Sequence, residues 1–207
     1  MIRAHRLLTV SAALAVLVAS LLLAAPAGSA TPPWRAVLTF DKNWQNQFDS
    51  RVVWQLYQRQ ADGAWKVVET RSWRAGSGLP GPVGRNSCKT SKGWLPNGSY
   101  RMRQYNSYPG HVIKGQAFRL DNKACSSGRV RHQLFLHSEQ TAGNGQCRDR
   151  RGDQACRWEY PKVNDYKSFG CIKMSPRDLA ELTALFHRHF AAGVRYAANQ
   201  VVLRVVS

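Results

Sequence analysis

Lys167-Ser168-Phe169-Gly170-Cys171-Ile172-Lys173-Met174 sets a cysteine directly after a glycine, just ahead of a helix start. A thiol on a tight glycine-containing turn is held in one position, and successive backbone N–H groups there can face an oxyanion, as acyl transfer requires. Such a thiol still needs a base. The candidate is His137, at the end of the apolar run Leu134-Phe135-Leu136. An imidazole that takes the thiol proton yields thiolate and imidazolium, and the imidazolium can later protonate a leaving amine. The 34 positions between His137 and Cys171 are no motif in themselves, because catalytic pairs meet in space. The bland readings are a leftover thiol packed as a small hydrophobe and a strand-end histidine satisfied by a carbonyl.

Flanking elements must position the pair. Ser175 can cap a helix, Pro176 suits its first turn and Asp178 favours its N-terminal end. Leu179, Leu182, Leu185, Phe186 and Phe190 recur at helical spacing, predicting a helix over Pro176 to Phe190 with one side on the sheets and Gly193 as its stop. The rest reads as mainly β. Ala36 to Phe40 is a short apolar run; Val52, Trp54 and Leu56 alternate with Val53, Gln55 and Tyr57, and Ala61-Asp62-Gly63-Ala64 turns the chain into Trp65-Lys66-Val67-Val68, a hairpin signature. Pro96-Asn97-Gly98 forms a turn into a strand at Tyr100 to Arg103. Further strands are predicted over Val112 to Leu120, over Val130 to His137 with Leu134 and Leu136 facing away from Phe135 and His137, and over Val201 to Val206, which should be central or buried. Gly76 to Lys92 reads as a long loop tethered through Cys88. Gln140 to Lys167 reads as an irregular charged loop, placed equally well for a lid or for a pinned surface excursion.

The first thirty residues read as an export signal: Arg3 and Arg6 precede an apolar run from Leu7 to Ala25, and Gly28-Ser29-Ala30 offers small residues for cleavage. The run is also long enough for an uncleaved anchor. Both readings put the body outside the cytoplasm, as one domain over residues 31–207. Leaving out Arg3 and Arg6, 28 basic residues stand against 12 acidic ones, a formal +16 that suits an anionic partner such as a cell wall. Basic residues interleaved with aromatics, as in Arg71-Ser72-Trp73-Arg74, are more simply solvated strand residues than a nucleic-acid surface. Five cysteines in an oxidising compartment leave at least one unpaired or bridged to another chain, and Cys171 is the candidate. Cys147 and Cys156 are the natural local pair at nine positions apart, which leaves Cys88 with Cys125, although four cysteines allow three connectivities. His132 and His137, five apart on one predicted strand, should face opposite sides, and no metal site or cofactor is expected.

Ser168-Phe169-Gly170-Cys171-Ile172-Lys173-Met174 resembles the signature of the L,D-transpeptidase catalytic domain, the YkuD-like family, where Ser/Thr-His-Gly-Cys is followed by a hydrophobic residue and then Asn or Arg. Leu136-His137-Ser138 is similar to that family's histidine segment, and Leu95-Pro96-Asn97-Gly98-Ser99-Tyr100 to its Pro-x-Gly turn. The resemblance implies a β-sandwich with one substantial helix after the cysteine motif. It makes Cys171 the nucleophile, His137 the base and then acid, the Ser138 carbonyl its orienter, Ser168 a support for the turn, and the amides of Gly170 and Cys171 the oxyanion donors. It further implies that a peptidoglycan stem peptide is cleaved before its terminal D-alanine and its thioacyl group passed to an amine of another stem. Water as acceptor would make the protein a carboxypeptidase, and a non-catalytic wall-binding protein on the same fold is the other alternative. Phe169 stands where the family has histidine and Lys173 where it has Asn or Arg, so the substrate-facing side of the motif departs from the pattern.

Overall fold

The computed structural model describes residues 33–207, and the export signal expected over residues 1–30 lies outside them. Period-two burial builds the first half. In β1 (Trp34–Asp41), β2 (Ser50–Arg59) and β3 (Trp65–Ser77), the inward side chains include Leu38, Phe40, Val52, Trp54, Leu56 and Trp73. β2 pairs antiparallel with both neighbours, and β11 (Val201–Val206) lies parallel beside β1. β11 is covered on its far side by the three-residue β4 (Gly98–Tyr100), so it is buried but stands one strand from the edge rather than at the centre.

The second half continues the same sheet. The end of β3, at Gly76 and Ser77, pairs with β10 (Ile172–Lys173), followed in space by β9 (Phe135–His137), β6 (Lys114–Leu120) and β5 (Met102–Pro109). β4 and β5 are separated only by Arg101, yet they lie at opposite ends of the nine-stranded order. The sheet therefore curls round until its ends meet, and one apolar core fills the inside. The predicted strand at Tyr100 to Arg103 splits at Arg101 for this reason: its two halves serve opposite edges.

Three further expectations are corrected. The predicted strand over Val130 to His137 is broken: Gln133 has φ 53°, so β8 (Val130–Arg131) pairs with β7 (Lys123–Ala124) in a small separate sheet and only β9 joins the large one. The strand predicted from Val112 begins at Lys114, because Val112 and Ile113 belong to a bend. Within Gly76 to Lys92, a one-turn α1 (Pro82–Arg85) interrupts the expected loop.

α2 (Pro176–His187) forms where its caps dictate: the Ser175 hydroxyl accepts from the Asp178 amide at 3.1 Å and Pro176 opens the first turn. A last turn carries the chain to Phe190, whose amide donates to the Phe186 carbonyl at 2.9 Å. Leu179, Leu182, Leu185 and Phe186 are buried, Phe186 edge-on to Phe118 of β6 at 5.4 Å, each contributing about 2 kcal/mol as an upper figure. Trp73 Nε1 donates to Glu181 at 3.0 Å, tying the helix to β3. Disulfides join Cys88 to Cys125 and Cys147 to Cys156, which fits an extracytoplasmic protein. No helix among the described residues is long and apolar enough to cross a membrane.

Candidate functional site

The turn before β10 is built by one hydroxyl. Ser168 Oγ accepts from the amides of Gly78 at 3.1 Å and Gly170 at 3.2 Å and donates to the Cys171 carbonyl at 2.6 Å. Gly170 has φ 116°, and a Cβ there would run into the Arg131 guanidinium and the Gly93 carbonyl, so only glycine fits. Because its amide is engaged by Ser168, Gly170 is not an available oxyanion donor, which corrects half of the expected pair and leaves the Cys171 amide.

β9 and β10 run parallel with Leu136 beside Ile172 and His137 beside Lys173. Leu136 and Ile172 enter the core, so the alternation turns Cys171, Lys173 and His137 to the opposite face. That register puts the Cα atoms of Cys171 and His137 roughly 8 Å apart, given strand spacing and rise. The Met174 amide donates to the His137 carbonyl at 3.1 Å and fixes the ladder just beyond the pair.

Cys171 is unpaired and half-buried, and both it and His137 line a cavity of about 470 Å³. His137 is buried, with Nδ1 3.0 Å from the Ser138 carbonyl. A carbonyl only accepts, so Nδ1 carries the proton and Nε2 keeps its lone pair. Burial first, then the charge of Lys173, pull His137 down to about 3, against the support of the Ser138 carbonyl. Burial pushes the Cys171 thiol up to about 11, while the Phe135 amide and the charges of Lys173 and Arg131 pull it back. The resting pair is thus neutral thiol and neutral imidazole. The thiol is directed at the Gln133 carbonyl, 3.7 Å away, rather than at His137.

Lys173 does not offer a loose charge to a ligand, as its place in the motif suggested. It is buried and its ammonium is paired with Glu139, whose carboxyl burial raises to about 7 against the pull of that ammonium. Phe169 stands 69% exposed at the cavity rim, an apolar wall beside Val112 and Ile113. His132 lines the same cavity as His137, contrary to the expectation of opposite sides, because the break at Gln133 reorients the chain. From the loop between Cys147 and Cys156, Asp153 and Ala155 reach the cavity, and Asp153 is held by Lys167 at 2.8 Å.

No family model matches the chain, and neither does any curated protein. Among solved structures, the helical cell shape determining protein Pgp2 from Campylobacter jejuni is similar at 15% identity and a TM-score of 0.40, over 83% of this chain. The chain spans about half, 47%, of that protein's length. A likeness of this size decides nothing about fold or chemistry.

Sequence reasoning missed two charged groups at the site. Arg131 is 2% exposed, and its guanidinium donates to the carbonyls of Ser87 at 2.7 Å, Gly93 at 3.2 Å and Phe169 at 3.4 Å. Among the described residues no carboxylate pairs with it, and the electrostatic influence between it and Cys171 is mutual. Glu139 was within reach of parity reasoning, two residues beyond His137 on the same face of an extended segment. Glu139, Asp153 and Asp165 also bring carboxylate oxygens within 4.8 Å of one another. Lys173 and Lys167 already answer two of those three charges, so the set fits an ion-pair network better than a divalent cation site.

Proposed function

We propose that the protein is an exported cysteine acyltransferase of the L,D-transpeptidase kind, acting on peptidoglycan stem peptides on a YkuD-like domain. The observation that carries this reading is the shared cavity: an unpaired thiol on a rigid turn and a histidine with an unprotonated Nε2, on one face of adjacent parallel strands.

Activation is concerted, because neither partner is charged at rest. As a stem-peptide carbonyl enters beside Phe169, rotation about the Cys171 side chain moves sulfur from the Gln133 carbonyl towards His137. Sulfur attacks the carbonyl carbon while His137 Nε2 takes the thiol proton, and the oxyanion meets the Cys171 amide. Collapse breaks the amide, the imidazolium gives its proton to the leaving D-alanine amine, and a thioester remains on Cys171. An amine from a second stem then attacks the thioester, His137 accepts its proton, and the thiol is regenerated. Arg131, whose charge draws the Cys171 thiol down, stabilises negative charge on the sulfur.

The test is acylation by a carbapenem, read by mass spectrometry of the intact protein and of its peptides. An adduct on Cys171, absent from Cys171→Ala and strongly slowed in His137→Ala, is expected. An unmodified thiol under conditions that label a related transpeptidase would overturn the reading. The second reading, a wall-binding protein that has lost catalysis, is favoured by the high thiol value and by the sulfur's contact with Gln133. It expects salt-sensitive sedimentation with purified wall and no acylation.

A further inference from the structure

β5 ends the order of the large sheet, and the segment after α2 pairs with its outer edge: the Gly193 amide donates to the Gln104 carbonyl at 2.8 Å, and Arg195 lies directly opposite Arg103. On its inner side Arg103 is paired with Arg119 of β6. Directly opposed side chains share a face with their Cβ atoms about 5 Å apart, so Arg195, Arg103 and Arg119 form one row. Met102 and Leu120 enter the core, so the alternation turns Arg103 and Arg119 outward, where both are exposed. The row lines a hollow of about 510 Å³ that shares no residue with the Cys171 cavity. Asp121 is the one carboxylate in that lining, and it is engaged twice, by Arg195 at 2.7 Å and by Arg101 at 3.3 Å. Among the described residues Arg103 and Arg119 form no ion pair. Like charges in direct register work against strand pairing, so the row holds positive charge that a bound anion would relieve.

We propose that this hollow binds a polyol phosphate chain, with one phosphodiester held by Arg103 and Arg119 and the next towards Arg195. Guanidinium forks match phosphate oxygens, and a tetrahedral phosphodiester turns one terminal oxygen to each of two neighbouring forks. A planar carboxylate sets both oxygens on one fork and leaves the second unanswered. Nucleic acid is disfavoured, because Tyr105, the aromatic ring of the lining, is half-buried and packed edge-on with Tyr108 at 5.2 Å rather than offered as a platform for a base. Two residues further along the same strands, Tyr105 lies opposite Ala117 and Ala117 opposite His137, so the row sits on the sheet face that bears His137. Binding in the hollow does not depend on the chemistry proposed for Cys171.

Binding is measured by calorimetry on the Cys171→Ala protein, which separates this site from any thiol chemistry. A short poly(glycerol phosphate) is titrated at several salt concentrations, with oligogalacturonate and oligothymidylate of equal charge as controls. The polyol phosphate should bind tighter than either control. Arg103→Gln and Arg119→Gln should each lower its affinity about tenfold and flatten the slope of log affinity against log salt by roughly 0.7, one phosphate contact's worth. Arg59→Gln, an exposed arginine outside the lining, removes the same charge and should leave affinity and slope unchanged. Both row residues are exposed, so their variants fold, and circular dichroism checks this. Equal or tighter binding of oligogalacturonate or oligothymidylate, an equal loss in Arg59→Gln, or unchanged affinity in Arg103→Gln would each overturn the proposal.

Discussion

The Arg131 guanidinium reaches the cysteine turn at the Phe169 carbonyl, and three backbone carbonyls hold it there without cancelling its charge. Replacing it by methionine keeps much of the volume and removes the charge that steadies a Cys171 thiolate. Labelling of Cys171 by iodoacetamide, followed against pH, should therefore shift to higher pH by about one unit, roughly a tenfold lower rate at pH 8. Arg131→Lys should recover part of that loss, and an unchanged profile would remove Arg131 from the chemistry. Gly170→Ala tests the turn itself: positive φ and the clash with Arg131 together should cost about 1–3 kcal/mol in urea unfolding and abolish acylation. Ser168 and Cys171 were readable from one short motif, and His137 and Ser138 from a second, 34 positions upstream. Arg131 was not, because its partners at Ser87, Gly93 and Phe169 lie 38 to 44 residues away and no local pattern records such contacts.

α2 and the two disulfides hold the elements that carry the site. Leu182 is wholly buried in the core, so Leu182→Ala should lower stability by about 2–5 kcal/mol in chemical denaturation, whereas Ser175→Ala, which removes only the cap, should cost about 1 kcal/mol. Loss of less than half a kcal/mol on Leu182→Ala would mean that the helix does not pack as described. Opening Cys147–Cys156, by serine at both positions, should cost at most about 3 kcal/mol from its short loop. The helix was readable because cap, proline and apolar stripe agree, and the hairpin of β2 and β3 was readable from alternation and the turn at Asp62-Gly63. The breaks at Arg101 and Gln133 were not, since both arise where a strand changes partners, and partner choice depends on the closed sheet rather than on neighbouring residues. Val112 and Ile113 show the same limit: strand-forming side chains sit in a bend and line the rim of the cavity.

At the scale of the whole molecule, His137 and Glu139 are buried together on the face of the sheet away from the core, and the two oppose each other in acid. His137 falls from 6.5 to about 3 on folding, so between those values the unfolded chain binds the extra proton and stability falls as pH drops. Glu139 rises from 4.5 to about 7, so the folded state binds the extra proton there and stability falls as pH rises. From pH 4.5 to 6.5 the two slopes cancel, which predicts a plateau in the urea midpoint, with a decline below 4.5 where His137 acts alone. His137→Gln removes one side of the balance. Its stability should fall as pH rises from 4.5 to 7, by about 3 kcal/mol at most, and its acid decline below 4.5 should be shallower. Urea titrations at half-unit pH steps on both proteins separate these outcomes. A variant whose midpoint ran parallel to that of the unaltered protein throughout would show that the imidazole is not held neutral by its burial, and with it would go the concerted proton transfer from Cys171.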